Sequence, residues 1–486
     1  MKTIVVLMDS LNRHFLSLYG NDWVQTPNID RFAEKSVTFD NHWLGSAPCM
    51  PARRDMMTGR LNFLENDWGP IEPYDVTLPG KLRENDIFTH MVTDHYHYFE
   101  IGGENYCQIF NTWDLYRGQE SDPWVSSVDK PALPEEYLGR VREQYELNRQ
   151  EFTSEEEFSG PKTFKAASKW LENNQNAEDF LLWVEAFDPH EPFDTPENFL
   201  QLYEDDYDGP RYEWSGYEEV NEGDDSLKHL RNKYAALLTM IDKWFGKLLD
   251  VLDENEMWED TLIVLTTDHG HMLGEHGFTG KNFMHVYNEL AHIPLIVNLP
   301  GNERAGDRIN ALTQNIDLMP TILDYFNIDI PETVVGKSWR GLLEGTEDSI
   351  REAAIYGYWG KTINVTDGEY TYFRVPDKED NRPLYRYTGM PTSFRNYFSI
   401  QSLKEADMGS YLQWTDVPVY KVEGGSGKSH YHQDNLLFDL DNDYNQRNPL
   451  EDKEIETRMK KLMVEKMKDH GAPEEQYQRM GLEQKS

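Results

Sequence analysis

The sequence predicts an α/β fold: a large mixed, mostly parallel sheet flanked by helices, with a smaller C-terminal α+β domain. Three observations carry that expectation. Short apolar runs alternate with stretches of helical apolar spacing as far as about residue 350. The 486 residues are 38% hydrophobic and 13% aromatic, enough for a large core and unlike a disordered chain. Beyond about residue 350 the pattern becomes short aromatic-rich runs joined by turn residues.

The elements follow in chain order. Residues 3–8 are apolar and read as a buried first strand. Thr26 with Pro27 behind it marks a helix start, threonine as cap and proline at the first helical position. Residues 88–92, 180–186, 262–267 and 294–299 complete the strand set. The acidic, aromatic tract 204–225 reads as a surface excursion. The longest helix spans residues 225–252, with Leu230, Tyr234, Leu237, Leu238, Ile241, Phe245 and Leu248 on one face. Another helix covers 316–326. Residues 354–359 and 370–375 read as antiparallel strands, with Thr366-Asp367-Gly368 turning before the second, and a charged helix over 454–470 closes the chain. The expected domains are 1–350 and 351–486.

Composition narrows the function. With 47 basic against 87 acidic residues the net charge is −40, which excludes nucleic acid as a natural partner. An anionic substrate would need a locally positive pocket inside a negative surface. No run approaches the roughly 18 apolar residues of a membrane span. The first eight residues run straight into Asp9 and do not resemble a signal peptide, so a cytoplasmic location is expected. Two cysteines, Cys49 and Cys107, imply no disulfide framework.

Two predicted strands end in acidic residues, Asp9-Ser10 after the first and Asp268-His269-Gly270 after the fourth. Ligands of open α/β sheets collect at the carboxyl ends of strands, so these positions mark a candidate site. Between them in sequence lie Cys49-Met50-Pro51-Ala52-Arg53 and Thr58-Gly59-Arg60. Downstream, His269-Gly270-His271-Met272-Leu273-Gly274-Glu275-His276-Gly277 leads to Lys281, four residues beyond the last glycine. Together these segments resemble the type I sulfatases of the alkaline-phosphatase superfamily. The resemblance covers about residues 1–350 well, and 435–448 more loosely through Leu437-Phe438-Asp439-Leu440.

The resemblance implies that Cys49 is oxidised after translation by a maturation enzyme to formylglycine, whose hydrate is the nucleophile. One hydroxyl attacks sulfur, and the other loses its proton as sulfate is expelled. It also implies one divalent metal held by Asp9, Asp268, His269 and residue 49. Ser10 stands where many members carry a second aspartate, and would ligate weakly. Calcium suits the oxygen donors, and the imidazole makes manganese credible. Arg53 would support the diol and the metal pocket, and Lys281 would contact a sulfate oxygen. Asp188-Pro189-His190-Glu191-Pro192-Phe193 resembles the family's "PH-x-PF" segment, which makes His190 the acid for the leaving oxygen.

Where the family usually carries "GKWH", this chain has Asp94-His95-Tyr96-His97. The lysine is missing, and His95 or His97 would take over part of its substrate contact. His285 is a further substrate-binding candidate, whereas His292 abuts a strand and suits the core equally well. The tract 116–122 would form part of the pocket rim, and Trp113, Trp124 and Trp214 are candidates for stacking on sugars. The expected activity is hydrolysis of a sulfate monoester on a small molecule or oligosaccharide. The rival readings are a phosphonate monoester or phosphodiester hydrolase on the same scaffold, and an inactive binding homologue.

Overall fold

The computed structural model describes residues 1–424 and 434–482. The main sheet is built from β1 (Lys2–Met8), β2 (Val37–Phe39), β3 (Phe88–Thr93), β4 (Thr112–Leu115), β5 (Phe180–Ala186), β6 (Thr261–Thr266), β7 (Leu295–Asn298) and β8 (Arg308–Ile309). Their spatial order is β8-β2-β7-β6-β1-β5-β3-β4. β1 pairs in parallel with both β5 and β6, and β7 runs antiparallel to its neighbours β6 and β2. The sheet is therefore mixed and mostly parallel, as the alternating pattern predicts.

All seven residues of β1 are buried, because the central strand is covered on both faces. Ile4, Val6 and Met8 join one core and Val5 and Leu7 the other, which is the two-residue period of a strand. The first core is roofed by α1 (Pro27–Glu34) and the 31-residue helix extending from Asp224 to Glu254.

Some local expectations change. The Thr26 side chain makes no capping bond to α1. Asp242 of the long helix does so instead, accepting from the backbone N–H of Ile29 at 2.7 Å and of Asn28 at 3.1 Å. A carboxylate outcompetes a hydroxyl as acceptor for orphan N–H groups beside a helix start. The helix expected over 316–326 starts as a 3-10 turn, Asn315–Asp317, and becomes α-helical over Leu318–Tyr325. The tract 204–225 is only partly a surface excursion. Tyr212, Trp214 and Ser215 are buried, because the segment folds back to hydrogen-bond the chain beside His190.

A second sheet combines β9 (Ala354–Tyr358), β10 (Ile363–Thr366), β11 (Tyr370–Arg374) and β12 (Leu436–Asp439), antiparallel in the order β12-β11-β10-β9. The helix Lys453–Asp469 packs against it. Ser46–Ala47 adds to β9 in parallel, pairing Gly357 with Ser46 and Tyr358 with Ala47. The smaller sheet is thereby tied to the residues just before Cys49, and its edge reaches the site.

Candidate active site

Strand register brings the acidic residues together. Met8 pairs with Ala186 and Leu7 with Thr266, so three strands end at one level. Asp9, Asp268 and the loop carrying His190 emerge side by side. Ser10 holds a left-handed φ of 62°, with its N–H donating to Asp268 at 3.1 Å and its carbonyl accepting from the Tyr234 hydroxyl at 2.9 Å. That is an unusual backbone for serine, held by bonds on both sides. Gly270 lies where an added Cβ would sit 1.9 Å from the Glu289 carbonyl oxygen, so only glycine lets the loop after His269 pass.

Cys49 opens the helix Cys49–Thr58, with Pro51 inside the first turn, where its missing N–H costs nothing. Arg53 is four residues on, one turn along the same face. Gly59 ends the helix in the left-handed conformation at φ 65°, its N–H bonding the Asp55 carbonyl at 2.8 Å. The C-x-P-x-R spacing thus places thiol and guanidinium on one side of one helix.

Arg53 is fully buried and bonds three carboxylates: Asp9 at 2.8 Å, Glu185 at 2.9 Å and Asp268 at 2.5 Å. Single donor atoms of Asp9, Cys49, Asp268 and His269 all lie within 4.8 Å of one another. His269 donates from Nδ1 to the Gly270 carbonyl at 2.7 Å, and its Nε2 faces the Cys49 Sγ at 3.2 Å. Burial lowers the pKa of His269, which keeps that ring neutral with its lone pair on Nε2. Burial opposes charge on Asp9 too, yet Arg53, His190 and Lys281 outweigh it and hold the carboxyl well below its usual range. Burial and the Asp9 charge push the Cys49 thiol up, so the unmodified side chain is a poor nucleophile. Carboxylate oxygens, a neutral imidazole and a residue-49 side chain form a donor set that fits a hard divalent cation.

The Ser10 hydroxyl, expected as a weak ligand, donates to Asp9 at 2.8 Å and accepts from Lys281 Nζ at 2.9 Å, so it links the lysine to the acidic pair. Lys281 is buried; the groups around it, Cys49, Glu191 and Asp9, outweigh that burial and raise its pKa.

Lys281 and His190 line the same cleft as Cys49, a space of about 720 Å³. His190 donates from Nδ1 to its neighbour's carbonyl, Glu191 O, at 2.6 Å, with the Glu191 carboxylate at 3.4 Å and that of Glu120 at 3.6 Å. His97 lines the cleft and bonds Glu100 at 3.0 Å. His95 does not line it: the ring is wholly buried, 3.6 Å from Asp9, and burial followed by Arg53 lowers its pKa strongly. It backs the acidic cluster instead of meeting substrate. His285 is also corrected, because it packs against Tyr287 and Phe373 in the core beside the second sheet and does not line the cleft. His292 is a core residue, stacked on Trp43 and bonded to the Asp40 carbonyl at 2.7 Å.

Of the tryptophans singled out, Trp214 lines the cleft, while Trp113 and Trp124 do not; Trp68 and Trp359 do. The tract 116–122 contributes Glu120 and Ser121 to the lining. Asp94 faces inward, accepting from the Phe187 N–H at 2.7 Å and from Gln119 at 2.9 Å. Glu185 and Glu191 were missed by sequence reasoning. A glutamate inside the apolar run 180–186 was the available signal for Glu185.

Comparison with known proteins agrees with this geometry. The family model "Sulfatase" matches residues 2–328, and "N-sulphoglucosamine sulphohydrolase, C-terminal" matches residues 274–407. The choline-sulfatase of Rhizobium meliloti (strain 1021) is 26% identical over 411 residues, covering 76% of this chain and 77% of the relative. The N-acetylglucosamine-6-O-sulfatase of Bacteroides thetaiotaomicron is 25% identical over 439 residues, covering 73% and 74%. Among solved structures, the phosphonate monoester hydrolase of Agrobacterium radiobacter superposes with a TM-score of 0.68 at 17% identity, covering 96% of this chain and 95% of that one. With its mostly parallel sheet, its acidic strand ends and a matching family model across more than half its length, the chain belongs to the sulfatase family of sulfuric ester hydrolases on an alkaline-phosphatase-like fold.

Proposed function

We propose that this enzyme hydrolyses a sulfate monoester carried on a carbohydrate, with residue 49 converted to formylglycine and one divalent ion at the strand ends. The observation that carries the reading is the convergence of Asp9, Asp268, His269 and Cys49 donor atoms within 4.8 Å, with Cys49 also lining the cleft that Lys281 and His190 line. Formylglycine would supply a geminal-diol nucleophile, and the ion would orient it and offset charge on the sulfate.

The chain's own residues do the rest. Asp9, Asp268 and His269 hold the ion, calcium or manganese by donor type. Arg53 fixes both aspartates and stops their mutual repulsion from opening the cluster. Lys281 lies 3.9 Å from Asp9 and is positioned to take a sulfate oxygen. His190 protonates the bridging oxygen as the alkoxide leaves, and the carboxylates of Glu191 and Glu120 stand 3.4 and 3.6 Å from its Nδ1. The aromatic lining of Trp68, Trp214 and Trp359 supports a sugar ring as the leaving group. Conversion of Cys49 requires a maturation enzyme in the cell that makes the protein.

The test combines intact mass with a substrate panel. Conversion exchanges one sulfur for oxygen and removes two hydrogens, and sulfated saccharides should be turned over only by the converted protein. An active protein retaining a plain thiol overturns the reading. A second reading, a phosphonate monoester or phosphodiester hydrolase, is favoured by the single aspartate of Asp9-Ser10 and by the structural likeness given above. Parallel kinetics on sulfate, phosphonate and diester substrates separate the two.

A further inference from the structure

The cleft reverses the charge balance of the chain. Overall, 47 Lys and Arg face 87 Asp and Glu, yet the cleft is lined by six of the former and three of the latter. Two of its three acids are taken: Asp67 bonds Arg386 at 2.8 Å and Glu100 bonds Arg395 at 3.1 Å. Glu120 accepts from the Tyr96 hydroxyl at 3.0 Å and faces His97 and His190. Lysine 281 belongs to the reacting centre. Three cations remain without a carboxylate within 4.0 Å among the described residues: Arg142 stands 6.0 Å from the Trp214 centroid, and Lys361 and Arg140 lie closer on aromatic faces. Lys361 Nζ is 4.9 Å from the centroid of Tyr358, and the Arg140 guanidinium is 4.0 Å from that of Tyr217.

The position of Lys361 is set by the second sheet. It follows β9, whose edge is held by Ser46–Ala47 directly ahead of Cys49. The Tyr358 hydroxyl beneath it accepts from the N–H of Asn282, the residue after Lys281, at 3.1 Å. Lys361 is thus one aromatic ring removed from the lysine expected at the scissile sulfate. A half-buried ammonium without an anion is a costly arrangement in a protein with a surplus of carboxylates.

We infer that Lys361 anchors a second anion subsite in the cleft, which holds a non-reacting sulfate or carboxylate of the saccharide while another sulfate meets residue 49. Arg140, on the Tyr217 wall, is the companion cation. The inference rests on the carbohydrate sulfatase reading above and narrows its substrate to saccharides with at least two anionic groups. Burial, against the attraction of Asp67, pulls the Lys361 ammonium down to about 8, a cost that an incoming anion would relieve.

The test compares three monosaccharides: one carrying a single sulfate, one carrying two, and one carrying a sulfate and a carboxylate. Mature wild-type enzyme should favour one or both dianions in kcat/KM by about tenfold or more, the range of a charge-assisted hydrogen bond. The arm that is favoured identifies the second group. In Lys361→Met that ratio should collapse toward unity, with Lys361→Arg retaining most of it. Lys361→Gln serves if the methionine variant does not fold. An unchanged ratio in the neutral variants, or no dianion preference in wild type, overturns the subsite. Affinities of Cys49→Ala protein for the same saccharides, measured by calorimetry, read the subsite without turnover. Failure of turnover alone then counts against the sulfatase reading and not against the subsite.

Discussion

Nε2 of His269 lies 3.2 Å from Sγ of Cys49, while the opposite ring nitrogen is committed to the Gly270 carbonyl. The imidazole is therefore fixed in the tautomer a metal ligand requires, before any ion arrives. His269→Ala should weaken divalent-ion affinity by at least about tenfold. Thermal midpoints of wild type and variant, titrated with calcium and with manganese, check this. Chelation should abolish activity, and re-addition of the ion should restore it.

Arg53 is the only residue bonded to Asp9, Glu185 and Asp268 together among the described residues, and all four side chains are fully buried. Removing it leaves three carboxylates facing one another in a low-dielectric interior. Arg53→Met should cost about 3–5 kcal/mol of stability. Urea unfolding of the metal-free protein measures this without interference from ion binding.

On the proposed reading His190, which lines the cleft beside Cys49, is the acid for the leaving group. His190→Ala should slow sugar and alkyl sulfates by about 10²–10⁴-fold. Activated aryl sulfates, whose phenoxide leaves without a proton, should slow far less. Equal losses on both substrate classes would remove the acid role.

Asp188 shares Gln119 with Asp94, which accept from its amide at 3.0 and 2.9 Å. Burial raises the Asp188 pKa to about 7, above the value of about 3.9 for an unfolded aspartate. The folded chain therefore keeps a proton that the unfolded chain has lost between those values. Stability from this residue is fully present below the unfolded pKa, falls as pH rises across the window, and levels off above it. Asp188→Asn should flatten that part of the profile, as denaturant midpoints between pH 5 and pH 8 would show.

The particular elements divide cleanly between what pattern reveals and what folding decides. Five strands were legible to within a residue or two, since a strand buried on both faces must be an unbroken apolar run. Asp9 and Asp268 were legible as strand ends and Cys49 and Arg53 through the resemblance of their motif; the structure brings Asp9, Cys49 and Asp268 into one cluster with Arg53 bonded to both aspartates. Side-chain direction was not. His95 and His97 are two residues apart, yet one backs Asp9 and the other faces the cleft. Asp242, far along a different helix, displaced Thr26 as a cap.

The chain alone determined the fold class, through local periodicity, and pointed to the chemistry at the strand ends through motifs that resemble those of the sulfatases. Only the tertiary structure decided which distant groups share that chemistry: Arg53 meets Asp268 across 215 positions, and Lys361 reaches the cleft from the turn after β9, the strand paired to Ser46–Ala47. Sheet register and edge pairing fix those encounters, and both arise from packing between segments that no local pattern connects.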